Sequence, residues 1–528
     1  MPLVSIHHTR RSFLEVFLGG LVAEVVHSRG VFAKATAHET LAPPEPFDFD
    51  RLRTLAEQLA RQPFRPSLPR NARQIDTIDF DLVQQIHFRP ERALTWPRGA
   101  FPVQLFHVNR YAPLPVDISI VQGGSARRVL YSPDFFDYGK SGLGTRLTAD
   151  LGFSGFRVMS STEMKDDWLA FQGASYFRSA GPLHQYGLSA RGIAVDTTAP
   201  GRKEEFPRFV AFWLTEAPDE PHITLYALLD GPSLAGAYRF ECGSGADVVM
   251  DVHAELFQRA AIEQLGIAPL TSMYWYSETN HRQAPDWRPE VHDSDGLAIW
   301  TGSGERIWRP LNNPPHPQTN SFATENPKGF GLLQRDRNFD HYLDDGVYYD
   351  RRPSAWVEPT QGWGRGAVVL VELPTSTEIE DNVVAFWRPE RPAKAGTNWN
   401  LDYRLHWAAK EPFPPSVARV VATRLGRLGQ PGAPEATGQQ GRKFDIEFTG
   451  GALTDMPQRF DLSAVVTASR GTVASPRVLK ILGTDLWRAE FDLKATGEAP
   501  VDLRCFLRLG DRTLSETWLY QYLPRDGR

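Results

Sequence analysis

Glu378, Glu380 and Asp381 crowd together immediately ahead of the apolar run Val383 to Trp387. Asp293 and Asp295 alternate in the stretch His292-Asp293-Ser294-Asp295, so on a strand they share a face. Two acidic blocks far apart along one chain suit glycoside hydrolysis. That reaction needs one carboxyl group to protonate the leaving oxygen and a second to activate water or attack the sugar. Asp381 falls where a loop enters a strand, a common position for a catalytic group. Tryptophans and guanidinium groups are interleaved with these acids, among them Trp287, Arg288, Trp300, Trp308, Arg309 and Trp356. Sugar rings lay apolar C–H faces on aromatic rings, while their hydroxyls pair with carboxylates and guanidinium groups. Together with Asp295, these six residues are the candidate saccharide contacts. The same residues have plainer readings. The His292–Asp295 stretch also suits a turn whose side chains satisfy themselves, or a set of His and Asp metal ligands. The tryptophans also suit a core, and the arginines at 306, 309, 335, 337, 351 and 352 suit pairing with the carboxylates. Residue types and spacing support activity on, or binding of, a polysaccharide and do not name the linkage.

These groups must be positioned by a β framework. The chain has 528 residues, of which 41% are hydrophobic and 23% charged, a composition that excludes a disordered chain. It carries 14 Trp, 15 Tyr and 31 Phe together with 43 Gly and 41 Pro, an aromatic and turn-rich balance that predicts a large all-β protein. The net charge of −5 excludes a general nucleic-acid binder. Two cysteines, Cys242 and Cys505, exclude a disulfide framework and read as buried free thiols. No glycine-rich phosphate loop stands out, so no cofactor is expected, and no metal.

Residues 223–229 and 237–240 predict a hairpin across Asp230-Gly231-Pro232. Two helices are expected. One carries Leu52, Leu55, Ala56 and Leu59 behind an Asp50 N-cap, and the other runs from Ala254 to Leu265. Residues 41–46 read as a proline-rich linker, and 410–415 as a linker or strand entry. Beyond 415, apolar residues alternate with charged ones at 444–448, 487–493 and 503–509, which predicts a small immunoglobulin-like sandwich over 411–525. Residues 429–440 read as a surface loop. At the start, Arg10 and Arg11 precede an apolar run at 16–26 and small residues near Ala33, the layout of a cleaved export signal of the twin-arginine kind over 1–33. That run is too short to span a bilayer, and no stable membrane insertion is expected.

Five blocks carry a resemblance: RPEVHDSDGL at 288–297, GERIWRPLNNP at 304–314, NPKGFGLLQRDRNFDHY at 326–342, RRPSAWVEP at 351–359 and EDNVVAFWRPE at 380–390. Together they resemble the periplasmic glucans biosynthesis family (OpgG/OpgD), over about Phe47 to Tyr522, and the arginine pair at the start resembles its D-type branch. The resemblance implies a large galactose-mutarotase-like β-sandwich over 42–410, an immunoglobulin-like domain after it, and a periplasmic location. It implies a β-1,2-glucan ligand and, for D-type members, inverting endo-β-1,2-glucanase activity. It assigns the general acid to Asp381, the base to Asp293 with Asp295 as fallback, a relay to Tyr349 and a further acidic cleft role to Glu378. Glu380 departs from the asparagine expected there and adds a charge that would tend to raise the acid's pKa. A non-catalytic glucan-binding or scaffold protein stays open beside the hydrolase, as does a sugar epimerase or lyase. The smaller domain has three candidate roles: packing on the cleft, binding glucan, or forming homodimer contacts.

Overall fold

The computed structural model describes residues 40–524 apart from 97–98, 148, 162, 217–221, 282–283 and 429–440. The expected export signal and the 429–440 loop lie outside the described residues. The architecture is all-β. Among the described residues the one helix longer than a turn, Phe49–Ala60, is capped by Asp48, whose Oδ1 accepts the Arg51 N–H at 2.8 Å. The cap is therefore Asp48 rather than the expected Asp50, two residues earlier than the apolar spacing suggested.

Two large sheets make the main body. In the larger, His222–Asp230, Leu234–Ser244, Val248–Gln258, Asn398–Ala408, Ser354–Pro359, Gly329–Leu333, Gly296–Trp300 and Arg306–Pro310 follow one another as antiparallel neighbours. In the facing sheet, Arg365–Glu372, Val383–Pro389 and Leu265–Ser272 lie side by side, followed by Ser189–Arg191, Tyr176–Ser179 and Asp167–Gln172. Phenylalanines from both sheets interlock between them. Phe171 stacks on Phe177 at 5.0 Å and meets Phe240 of the opposite sheet edge-on at 5.4 Å. Such pairs add to the burial of large apolar area and fix the separation of the layers.

The expected helix over Ala254–Leu265 is instead the strand Val248–Gln258 followed by a turn, and Gly266 lies inside the next strand. Leu256, Phe257, Ala260 and Ala261 suit either period. Pairing on both flanks, Leu256 with Gly236 and Trp399, decides for the strand. The 223–229 and 237–240 hairpin forms as expected. The 41–46 segment is no loose linker, because Glu45–Pro46 pairs with the strand Ser125–Arg128.

Beyond 415, the sheet Arg419–Gly426, Gly441–Thr449, Trp487–Lys494 and Thr472–Lys480 packs on Leu462–Ala468, Val501–Leu509 and Thr517–Tyr522. The alternating residues face inward as their pattern requires. Phe444 stacks on Phe491 at 5.1 Å, and both meet Trp518 edge-on. Thr517–Tyr522 also pairs in parallel with Arg306–Pro310, through Ile307 with Thr517 and Trp308 with Trp518, so one sheet runs across both parts of the chain. Cys242 and Cys505 are buried free thiols.

Candidate functional site

The acidic blocks meet across one short segment. After Leu265–Ser272 the chain passes through Met273 into Tyr274–Tyr276. On one flank Ser272 is the register partner of Val383. There Asn382 Oδ1 accepts the Tyr274 N–H at 2.8 Å, and its Nδ2 donates to the carbonyls of Tyr274 and Leu373. This amide clamp fixes the loop end that carries Asp381. On the other flank Tyr274 is the register partner of His292, and the Met273 carbonyl accepts the Asp293 N–H at 2.8 Å. Asp293 and Asp381 thus each adjoin an element that flanks residues 272–274, on opposite sides.

Asp293 is 4% exposed and forms an ion pair with Arg352. Burial pushes its carboxyl above the usual range, and the Arg352 guanidinium pulls it back. Arg352 lies over the Tyr349 ring at 4.2 Å. The Tyr349 hydroxyl donates to Glu378 Oε2 at 2.6 Å, and Arg288 donates to the same oxygen at 2.7 Å. Arg288 also pairs with Asp286 at 2.8 Å and Asp344 at 2.7 Å. Burial sets the Tyr349 hydroxyl well above its ordinary pKa, so it is a hydrogen-bond donor. Asp381 is half-buried and lies within electrostatic reach of the buried guanidinium groups of Arg178 and Arg191. Asp293 feels Arg178 as well, so one buried cation faces both acids. Arg178 covers the Tyr186 ring at 4.6 Å, and the Tyr186 hydroxyl donates to Asp167. The result is a wall of alternating acids and arginines beside tyrosines, able to meet hydroxyls as donor and as acceptor.

The structure does not bring together everything the spacing suggested. Asp295 does not share a face with Asp293, because the chain leaves the strand Val291–His292 before the next begins at Gly296. Asp295 accepts backbone N–H groups of Arg335 and Asp336 and faces His292 at 3.6 Å. Trp356 is fully buried and Trp308 is 4% exposed, both in the apolar cluster joining the two parts of the chain. They are core, not sugar platforms. Arg309 is 2% exposed and paired with buried Glu372 at 2.9 Å. Trp300 is half-buried beneath Arg306 at 3.7 Å. Only Trp287, 70% exposed beside Arg288, keeps an open indole face. Arg178 and Arg191 were missed: they sit on upstream strands with no acidic neighbour in sequence to mark them. Arg352 had a visible signal in the Arg351-Arg352 pair.

A cavity of about 480 Å³ opens between the main body and the C-terminal sheets. Glu278, Glu290, Asp295, Asp336 and His341 line it together with Thr423, Arg424 and Glu447. His292, fully buried behind it, donates from Nε2 to Glu290 at 2.9 Å. Its Nδ1 faces Gln334 Oε1 at 3.1 Å, and that amide's nitrogen is already spent on the carbonyls of His292 and Tyr349. Both ring nitrogens therefore donate. Burial opposes the charge, but Glu290 and Asp295 outweigh it and hold the imidazolium up to about 9. Burial and the neighbouring Glu290 push the Glu278 carboxyl to about 8.

The family described as periplasmic glucan biosynthesis protein, MdoG, matches residues 47–522. Glucans biosynthesis protein D 2 of Ralstonia nicotianae is 50% identical over 506 residues, covering 93% of this chain and 94% of that protein. Glucans biosynthesis protein D of Xanthomonas oryzae pv. oryzae is 46% identical over 502 residues, covering 93% of each chain. The protein of that name from Xanthomonas axonopodis pv. citri is 44% identical over 528 residues, covering 98% of each.

Proposed function

The chain belongs to the periplasmic glucan biosynthesis protein family, and from that premise we propose that it is an inverting endo-β-1,2-glucanase that shortens the glucose backbone of periplasmic glucans. The observation that carries the reading is that Asp293 and Asp381 lie on opposite flanks of residues 272–274, both within electrostatic reach of Arg178. An inverting pair stands about 6.5–9.5 Å apart between carboxyl groups to admit water, and acids on opposite flanks of one short segment suit such a gap. Asp381 protonates the departing glycosidic oxygen. Asp293, on which Arg352 opposes the effect of burial, takes the proton of the attacking water. Tyr349 and Glu378 act as a pair: the hydroxyl gives its hydrogen bond to Glu378 and leaves its oxygen to accept from a sugar hydroxyl or water. Trp287 offers an open indole face for a sugar ring at the cleft's edge.

The periplasm is the family's location, and twin-arginine export is the proposed route. No described helix is long and apolar enough to cross a membrane. The main body is proposed as a mutarotase-like sandwich and the C-terminal part as an immunoglobulin-like one. One observation favours a second reading, a non-catalytic glucan-binding or scaffold protein: Asp293 is nearly sealed and already paired with Arg352. Incubating the purified protein with linear β-1,2-, β-1,3- and β-1,4-glucans separates the two. Shorter products from the β-1,2 polymer alone support the hydrolase, and tight binding with no change in size supports the scaffold.

A further inference from the structure

Phe206 has no part in the chemistry proposed above, yet its setting is specific. The ring is 37% exposed and packs on the guanidinium of Arg191 at 5.6 Å, with Tyr176 on the same guanidinium at 5.0 Å. Arg191 is itself 2% exposed and fixed in place. Its Nε donates to Thr271 Oγ1 at 3.1 Å and its Nη1 to Glu204 Oε1 at 2.9 Å. A single exposed apolar side chain ordinarily needs no explanation. Phe206 differs because the backbone on both sides of it is held. The Glu205 N–H donates to the Val195 carbonyl at 3.0 Å, and the Glu205 carboxylate accepts the N–H and the hydroxyl of Ser233 at 3.1 and 2.6 Å. Pro207 packs against Gly231, where an added Cβ would lie 2.8 Å from the proline ring. An aromatic ring presented from such a segment is ordered before it meets a ligand, so binding costs little further freedom.

Strand register relates this ring to the acids. Arg191 is the partner of Tyr176, and Ser189 of the same strand is the partner of Thr271. Thr271 is in turn the partner of Val384, three residues beyond Asp381. The bond from Arg191 to Thr271 carries the guanidinium in that direction, and Asp381 lies within its electrostatic reach. Phe206 is thus joined to the neighbourhood of Asp381 through Arg191, much as Trp287 is joined to Glu378 through the adjacent Arg288. The occupant follows from continuity with the cleft. A hexopyranose lays its apolar C–H face on an aromatic ring and turns its hydroxyls to polar groups at the rim. Arg202 and Lys203, both exposed on the same segment, supply such a rim.

We propose that Phe206, braced by Arg191, is a platform for one glucosyl unit of the β-1,2-glucan, separate from Trp287 and remote from the bond that is cleaved. The assignment rests on the reading of the cleft as a glucan site and does not depend on turnover. Because the ring stands away from the reacting atoms, it adds affinity for long chains and leaves short ones unaffected.

The test is calorimetric titration of the full-length mature protein with linear β-1,2-glucans of graded length. Phe206, Phe206→Ala and Phe206→Trp are compared in the Asp381→Asn background, so that the polymer stays intact. Phe206→Ala is expected to weaken binding of long chains about two- to twelvefold, the range of one aromatic contact, and to bind short oligosaccharides as its parent does. Phe206→Trp is expected to restore the affinity for long chains. Both substitutions fall at an exposed position and are expected to unfold at the parent's temperature. Unchanged affinity of Phe206→Ala for long chains overturns the proposal. So does an equal loss at every length, which marks a disturbance passed through Arg191 to the acids. Cleavage by the wild-type chain is followed in parallel. Its absence, with the length-dependent loss intact, rejects the hydrolase and retains the platform.

Discussion

At the scale of the residue, Arg352 ties the two halves of the proposed chemistry together. It pairs with Asp293 and lies over the Tyr349 ring. An Asp beside Arg⁺ is held about 1–3 pH units lower than it would otherwise be. A base must be ionised to accept a proton, so its pKa sets the acid limb of the activity profile. Replacing Arg352 with Met removes the opposing charge, and the folded-state pKa of Asp293 rises. The acid limb of kcat/KM is therefore expected to move to higher pH by about 1–3 units, measured on linear β-1,2-glucan. An unshifted limb would remove Asp293 from the role of base. Tyr349→Phe is a milder change. It takes one donor from Glu378, which keeps Arg288, and it is expected to lower kcat more than it raises KM.

At the scale of the element, alternation placed most strands and failed where two periods fit. The 444–448 and 487–493 segments could be read as strands because charged residues mark every second position. The 254–265 segment could not, because its small and apolar residues satisfy both periods and only the neighbours at Leu234–Ser244 and Asn398–Ala408 decide. The acids were legible as residue types, but which of them share a face was not. A break of the strand at 293–295, which the turn reading of His292–Asp295 allows and the shared-face reading does not, turns Asp293 to Arg352 and Asp295 to His292. Burial of tryptophans was equally hidden: Trp287 and Trp356 look alike in sequence and differ from 70% to 0% exposure. The element that joins the two parts of the molecule depends on Arg335. It stacks on Trp308 at 3.7 Å and pairs with Glu411 and Glu516, both nearly buried. Removing one member of such a group strands the others, so Arg335→Met is expected to lower stability by about 3–5 kcal/mol in reversible denaturant unfolding. A loss under about 1 kcal/mol would show that the pairs are solvent-screened.

At the scale of the whole molecule, the C-terminal part is built into the main body. The larger sheet continues through the parallel pair Arg306–Pro310 and Thr517–Tyr522, and one apolar cluster contains Ala298, Trp308, Leu333 and Trp356 together with Phe444, Trp487 and Trp518. A chain ending at residue 410 would expose those four main-body residues and an unpaired strand edge, a state prone to aggregate. Such a truncation is expected to be insoluble or to elute as soluble aggregate in size-exclusion chromatography, and a monodisperse, fully active fragment would contradict the integrated fold. The central claim is that Asp293 and Asp381 act as one pair on a β-1,2-linked glucose chain. The most direct measurement is the size distribution of linear β-1,2-glucan after incubation with the wild-type protein, Asp381→Asn and Asp293→Asn, alongside the affinity of each for the polymer. Wild type is expected to shorten the chain, and each variant to lose about 10²–10⁴-fold in rate while still binding; cleavage by both variants at the wild-type rate would contradict the account.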